Sequence, residues 1–261
     1  MITNDQIQEL SKKIGIDQET ILREYLQILF LKNIYTEKES GKIFFKGGTA
    51  IHLLLGASRF SMDLDFTSLI FSSSLDGLMN RIIKRMNLEA GEIVLKSSKK
   101  KINHSYSKIL SYYTEARKYP LNISIDFSLR EKPVKKIKKT ILKTDYPIGG
   151  LPIVTHLDWQ EILAEKIRAI LVREKGRDLY DLYYLILKNI QVDWEIVEEK
   201  LKIYPKLKKK FNIGALFSRI EKFENRELKK DLAQFLPESE RGALLPILKD
   251  ELIKELEKWK K

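Results

Sequence analysis

Apolar residues recur at helical spacing over residues 3–35: Ile7, Leu10 and Ile14, then Ile21, Leu22, Tyr25, Leu26, Leu29 and Phe30. The rhythm breaks at Gly15, Ile16 and Asp17, so this stretch predicts two helices rather than one. In the middle of the chain the period changes. Short β-favouring runs stand at residues 42–45, 63–66, 92–95, 109–113 and 121–129, with helix-like stretches at 49–55 and 75–87 between them. A mixed α/β core of about five strands is the expected result. After Pro133 and Pro152 the helical period returns over residues 159–174 and 178–188 and runs on as a charged helical tail. The predicted class is therefore α+β. It has an N-terminal helical segment at residues 1–40, a mixed-sheet core at 41–151 and a C-terminal helical domain at 152–261.

Composition narrows the chemistry. With 43% apolar residues in 261 the chain can bury a large core. It holds no apolar run long enough for a membrane span, and MITNDQIQEL has neither a basic nor an apolar signal region, so a cytoplasmic protein is expected. The absence of cysteine removes disulfides, thiolate metal sites and cysteine nucleophiles. His52, His104 and His156 lie far apart in sequence and make a poor zinc set. Carboxylates, hydroxyls and amines remain. Lys and Arg number 48 against 36 acids, a formal charge of +12 that biases encounters toward polyanions. The excess gathers at residues 96–108, 131–143 and 200–210, which hold five, six and six lysines. Such clusters serve equally as solvated surface, so charge alone assigns nothing.

The sharpest pattern is Phe45-Lys46-Gly47-Gly48-Thr49, a strand running into paired glycines and a helix, followed by Asp63-Leu64-Asp65. Paired glycines let backbone amides approach a ligand closely, and a helix beginning there points its positive end at an anion, which makes a phosphate seat. Residues two apart on a strand share a face, so Asp63 and Asp65 stand side by side, a costly arrangement unless a divalent cation sits between them. In Leu121 to Phe127 the apolar residues alternate with Asn122, Ser124 and Asp126, which puts Asp126 on the polar face of a core strand. If that strand neighbours the first, three carboxylates converge on a two-metal site; otherwise Asp126 belongs to a solvated face. On the helix from Trp159, Lys166 and Arg173 fall within the apolar arc, opposite Glu161, Glu165 and Arg168. Both cations could snorkel to solvent or reach a polyphosphate. Asp178 suits an N-cap or first-turn acid, whereas Asp181, a turn further in, could approach Arg173 or Lys166.

Together these residues resemble a known family. Phe45-Lys46-Gly47-Gly48-Thr49-Ala50, Arg59-Phe60-Ser61-Met62-Asp63-Leu64-Asp65-Phe66, Glu165-Lys166-Ile167-Arg168-Ala169 and Arg177-Asp178-Leu179-Tyr180-Asp181-Leu182 are similar to motifs of the AbiEii/MenT nucleotidyltransferases, toxins of abortive-infection and type IV toxin–antitoxin systems with the DNA polymerase β superfamily fold. The chain departs from the wider superfamily in having Gly-Thr where Gly-Ser is usual. The resemblance implies magnesium-dependent transfer of a nucleoside monophosphate from an NTP to RNA, with the tRNA 3′ end as acceptor and a block of translation as the result. It implies metal at Asp63 and Asp65, with Asp126 assigned as third carboxylate from its strand context. Phosphates would lie at Lys46, Gly47, Gly48 and Thr49, and Ser61 would line the nucleotide site. Lys166 and Arg173 would grip the triphosphate, supported by Asp178 or Asp181. Its partners would be an NTP, tRNA or another RNA, and an antitoxin encoded nearby. Two alternatives stay open: transfer of AMP to a protein hydroxyl, and a non-catalytic module that binds RNA or a partner. The resemblance ends near Leu187.

Overall fold

The computed structural model describes residues 1–98, 104–115, 117–203 and 211–260, which form two compact units. Residues 1–56 and 60–157 make the first; residues 57–59 and 158–261 make the second.

The first unit opens with the two expected helices, α1 (Asn4–Ile14) and α2 (Gln18–Ile34). Thr3 and Gln6 form a capping box at the start of α1, and Gly15 ends it at φ 75, a left-handed conformation that glycine adopts without a Cβ penalty. Asp17 then caps α2 by accepting from the Thr20 amide at 2.9 Å. α2 is buried almost throughout, which explains why it is apolar on more than one face.

Among the described residues seven strands follow: β1 (Ile43–Lys46), β2 (Leu64–Ser68), β3 (Ile93–Ser97), β4 (Ser105–Tyr112), β5 (Leu121–Ser128), β6 (Lys138–Ile141) and β7 (Ile153–His156). Helices α3 (Gly47–Leu55) and α4 (Ser72–Ala90) are interleaved with them. The strands form one mixed sheet in the order β3-β4-β5-β2-β1-β7-β6. β2 runs parallel to β5 and β1 to β7, and the remaining neighbours are antiparallel. The expected strands are all present. β6 and β7 were not expected: β7 follows Pro152, where the helical period was read as returning, and it pairs with the central β1.

Alternation along the central strands sorts their side chains into two sets. On the core side an aromatic row crosses the sheet, Phe45 to Phe66 at 5.3 Å, Phe66 to Phe127 at 4.9 Å and Phe127 to Tyr106 at 5.9 Å between ring centroids. Large rings in offset or tilted contact add to the area they remove from water. The neighbouring residue on each strand, one step away in the pleat, faces the other way.

The second unit is helical: α5 (Trp159–Val172), α6 (Gly176–Leu187), α7 (Trp194–Lys202), α8 (Ile213–Glu221), α9 (Asn225–Leu232), α10 (Glu238–Ala243) and α11 (Leu248–Glu257). Glu161, Glu165 and Arg168 were placed on an outer face of α5, but all three are buried. α7 covers that face and presents Lys200, whose ammonium lies 2.7 Å from Glu161 and 3.4 Å from Glu165. A helix covered on both sides shows no single apolar stripe, and ion pairs supply the polar partners that burial requires.

α6 begins at Gly176, whose amide donates to Asp231 of α9 at 2.9 Å. A Cβ there would lie 2.9 Å from Leu228 Cδ1 and 3.3 Å from both Leu228 Cα and Asp231 Cβ. Gly176→Ala is therefore expected to destabilise the chain by about 1–3 kcal/mol through overpacking. Chemical denaturation reads this as a lower midpoint at unchanged slope. No described helix is long and apolar enough to cross a membrane.

Candidate active site

One step from the aromatic row, strand register sets up a polar row. Lys46 pairs with Asp65 across β1 and β2, Asp65 with Asp126 across β2 and β5, and Asp126 with Ser107 across β5 and β4. The condition set by the sequence, that the Asp126 strand neighbour the aspartate pair, is met by direct parallel pairing. Asp63 immediately precedes β2 and shares the period of Asp65. Asp126 is held by two hydroxyls: Ser107 Oγ donates to Oδ1, and Ser124 Oγ to Oδ2 at 3.0 Å. Lys46, largely buried, points its ammonium to Glu131 at 3.2 Å.

The glycine turn closes onto this row. Gly47 has φ +79, and a Cβ on it would meet Asp65 Oδ2 at 2.5 Å and Asp65 Cβ at 3.0 Å. Glycine is required there twice over, for the backbone angle and for the space the carboxylate occupies. α3 starts at Gly47 with no side-chain cap on its first amides. Exposed N–H groups at a helix start are the ordinary means of holding phosphate. Thr49 and Ser61 are engaged with the backbone leading into β2. The Thr49 hydroxyl, 1% exposed, donates to the Asp63 carbonyl, and the Ser61 carbonyl accepts from Gln27 Nε2 at 3.0 Å.

A divalent cation fits the donor chemistry here. Aspartate oxygens are hard ligands suited to magnesium, which commonly takes one or two carboxylates and completes its shell with water and substrate phosphates. Among the described residues no group of three or more His, Asp or Glu side chains is arranged to hold a metal by itself.

The second unit carries the other predicted residues in one cluster. Lys166 Nζ lies 2.6 Å from Asp181 and 3.2 Å from Asp178. Arg59 grips Asp181 with two hydrogen bonds, at 2.9 and 3.1 Å, and lies 5.9 Å from the Tyr180 ring centre. Arg173 grips Asp178 the same way, at 2.8 and 3.1 Å. Three cations thus meet two carboxylates. Arg173 departs from the buried arc in which its spacing placed it. It follows the last turn of α5, and its side chain is 58% exposed. Asp178 is a first-turn acid of α6, one of the two readings its position allowed, and not the cap, which is Lys175; its carboxylate is taken up by Lys166 and Arg173. Burial alone pushes the Asp178 carboxyl up, but the Lys166 ammonium and the Arg173 guanidinium outweigh it and hold the group below the ordinary carboxylate range. Burial likewise opposes the charge on Lys166, yet Asp181 and then Asp178 raise its pKa above that of an ordinary lysine.

Arg59 and Gln27 were missed as contributors. Arg59 carried a signal, since it opens the Arg59-Phe60-Ser61-Met62-Asp63 motif; Gln27 showed only as a polar residue inside an apolar helical run.

The fold recurs in known proteins. MenT4, a nucleotidyltransferase toxin from Mycobacterium tuberculosis H37Rv, superposes with a TM-score of 0.67 at 17% identity, over 98% of this chain and 89% of that one. JHP933 from Helicobacter pylori superposes with a TM-score of 0.52 at 22% identity, over 94% of this chain and 96% of that one. At such identities the likeness is one of fold. No curated protein sequence matches the chain. The family model described as nucleotidyl transferase AbiEii toxin, type IV toxin–antitoxin system, matches residues 29–255. The chain therefore belongs to the AbiEii family of nucleotidyltransferase toxins.

Proposed function

We propose that this toxin transfers a nucleoside monophosphate from an NTP to an RNA acceptor, the 3′ end of tRNA, in a magnesium-dependent reaction that blocks translation. The observation that carries the reading is Asp65, set between Asp126 across the sheet and a glycine turn that leaves room for its carboxylate. Asp63 and Asp65 would hold magnesium, with Asp126 beside them. When bound, the ion supplies charge neutralisation at the phosphoryl oxygens. The amides of Gly47 and Gly48 would seat phosphate.

The acceptor hydroxyl oxygen attacks the α-phosphorus, a new P–O bond forms, the bond to the bridging oxygen breaks and pyrophosphate leaves. Asp126 takes the hydroxyl proton. Lys166, kept protonated by Asp178 and Asp181, and Arg173 in the same cluster are the cations that the reading assigns to the polyphosphate.

The formal charge of +12 suits a polyanionic acceptor. Of the basic segments suited to holding RNA, residues 99–101 lie outside the described residues, whereas Lys138 and Lys139 lie exposed on β6. A type IV system also implies a cognate antitoxin.

To test this, each labelled NTP is incubated with the protein, magnesium and total tRNA. Label should appear at the RNA 3′ terminus, and the KM for tRNA should rise at least about tenfold between roughly 50 and 200 mM salt. Label on protein in place of RNA, or equal traces from wild type and Asp63→Ala, would refute the proposal. So would tight tRNA binding, indifferent to magnesium and NTP, in a protein that transfers nothing.

A further inference from the structure

Helix α2 is buried from Tyr25 through Leu31, and Gln27, 1% exposed, interrupts its apolar run. A primary amide in such surroundings is costly unless its polar atoms are paired. Gln27 Nε2 donates to the backbone carbonyl of Ser61 at 3.0 Å. Two residues further on, the carbonyl of Asp63 accepts from the Thr49 hydroxyl on α3. Ser61, Met62 and Asp63 lie outside helix and strand, and the registered pairs of β2 begin only at Leu64 with β5 and at Asp65 with β1. Asp65 is thus aimed by its ladders on both sides. The backbone of Asp63 is held by side chains.

We propose that Gln27 is a positioning residue for nucleotidyl transfer. Together with Thr49 it pins the backbone on either side of Met62, so that the Asp63 carboxylate is delivered beside that of Asp65. This rests on the reading of Asp63 as a magnesium-holding group. Two donors from two different helices fix two nearby peptide units, which leaves the segment little freedom to rotate. A displacement of about 1 Å in an active site can cost about a hundredfold in rate. Groups that orient metal ligands typically matter by about ten- to a hundredfold in metal affinity or activity. Gln27 touches neither the nucleotide nor the reacting atoms in this role, so its loss should appear in the metal dependence.

The test uses the full-length protein with Gln27→Met, Gln27→Glu, Thr49→Val and Thr49→Ser. Each variant is read by the magnesium concentration giving half-maximal transfer, the KM for NTP at saturating magnesium, and the thermal midpoint. Gln27→Met keeps the apolar fit but removes the donor, and it should raise the half-saturating magnesium concentration about ten- to a hundredfold, with the KM for NTP within about twofold of wild type. The carboxyl of Gln27→Glu, protonated by burial, can still donate its O–H to the Ser61 carbonyl and should shift the magnesium dependence less than Gln27→Met. Thr49→Val should raise the half-saturating magnesium concentration as Gln27→Met does, and Thr49→Ser, which keeps the hydroxyl, should raise it less than Thr49→Val. A folded Gln27→Met with wild-type magnesium dependence overturns the proposal, as does a lowered midpoint unaccompanied by any shift in metal dependence. Should the Gln27 variants fail to fold, the Val and Ser substitutions of Thr49 decide: equal magnesium dependence in both overturns the pinning, as does a Thr49→Val defect confined to the KM for NTP. Transfer by wild type without magnesium, together with activity in Asp63→Asn, would instead remove the metal reading itself.

Discussion

Asp65→Asn is expected to lower nucleotidyl transfer by about a thousandfold and to leave the protein folded. The substitution keeps size and shape, and Asp65 is only half-buried, so the sheet loses little. What disappears is one negative charge at the centre of the polar row between Lys46 and Asp126. Loss of a single preorganised electrostatic group commonly costs about a hundred- to a thousandfold in kcat, and a carboxylate that also holds the metal stands at the upper end. Gly47→Ala reaches the same carboxylate from the other side. Its methyl group would sit 2.5 Å from Asp65 Oδ2 on a backbone at φ +79, so the carboxylate or the turn must move. The two variants should therefore show losses of similar order, and the double variant should lose little more than either single one, because neighbouring groups acting as a unit are not additive. Single-turnover transfer rates, with circular dichroism as the folding control, measure this. An Asp65→Asn protein within tenfold of wild type would remove Asp65 from the chemistry.

The local half of this site is legible in the sequence. The Gly47-Gly48 turn, the i, i+2 spacing of Asp63 and Asp65, and the alternation that sets Asp126 opposite Ile125 and Phe127 are all short-range features, governed by strand period and glycine geometry. Which strand lies beside which is not short-range. The parallel pairing of β2 with β5 joins residues some sixty positions apart, and periodicity says nothing about it; only the structure puts Asp65 opposite Asp126. β6 and β7 escaped for a related reason. Lys138-Lys139-Thr140-Ile141 is mostly exposed and has no apolar alternation, and it is a strand because Ile153–His156 offers it a ladder. Tertiary pairing of this kind regularly outweighs intrinsic preference.

The helical unit shows the same limit in its charges. A helical wheel separates Lys166 from Glu161 and Glu165, but it cannot reveal that α7 brings Lys200 to those acids. Nor does it show that Arg59, far away in sequence, grips Asp181. In both cases the sequence displays a charge on a helix and omits the partner that makes its burial tolerable.

That partnership makes Asp181 the most stability-sensitive carboxylate in its cluster. Asp181→Ala removes the group that pairs with both Arg59 and Lys166, two cations that are themselves almost fully buried. Lys166 keeps Asp178, whereas the Arg59 guanidinium loses both of its hydrogen bonds to Asp181. Breaking a buried pair from one side typically costs about 3–5 kcal/mol, which for a chain of this size lowers the melting midpoint by roughly 10 °C. Removing both ends should hurt less, so Asp181→Leu combined with Arg59→Met is expected to melt above Asp181→Ala. The pH dependence carries the same signature. The Asp178 carboxyl, held below its ordinary value, contributes fully above about pH 4 and loses that contribution as the pH falls through its lowered pKa. Lys166, raised above its ordinary value, contributes fully below about pH 10 and loses that contribution as the pH climbs through its raised pKa. Asp181 is the leading group that raises Lys166. Asp181→Ala should therefore remove the Lys166 share of the alkaline fall and leave the share of buried tyrosines such as Tyr35 and Tyr180, while the acid limb, to which Asp178, Glu37 and Asp76 contribute, persists. A profile in which Asp181→Ala melts with wild type at neutral pH, or keeps the full alkaline fall, would show that the cluster does not hold the helical unit together in this way.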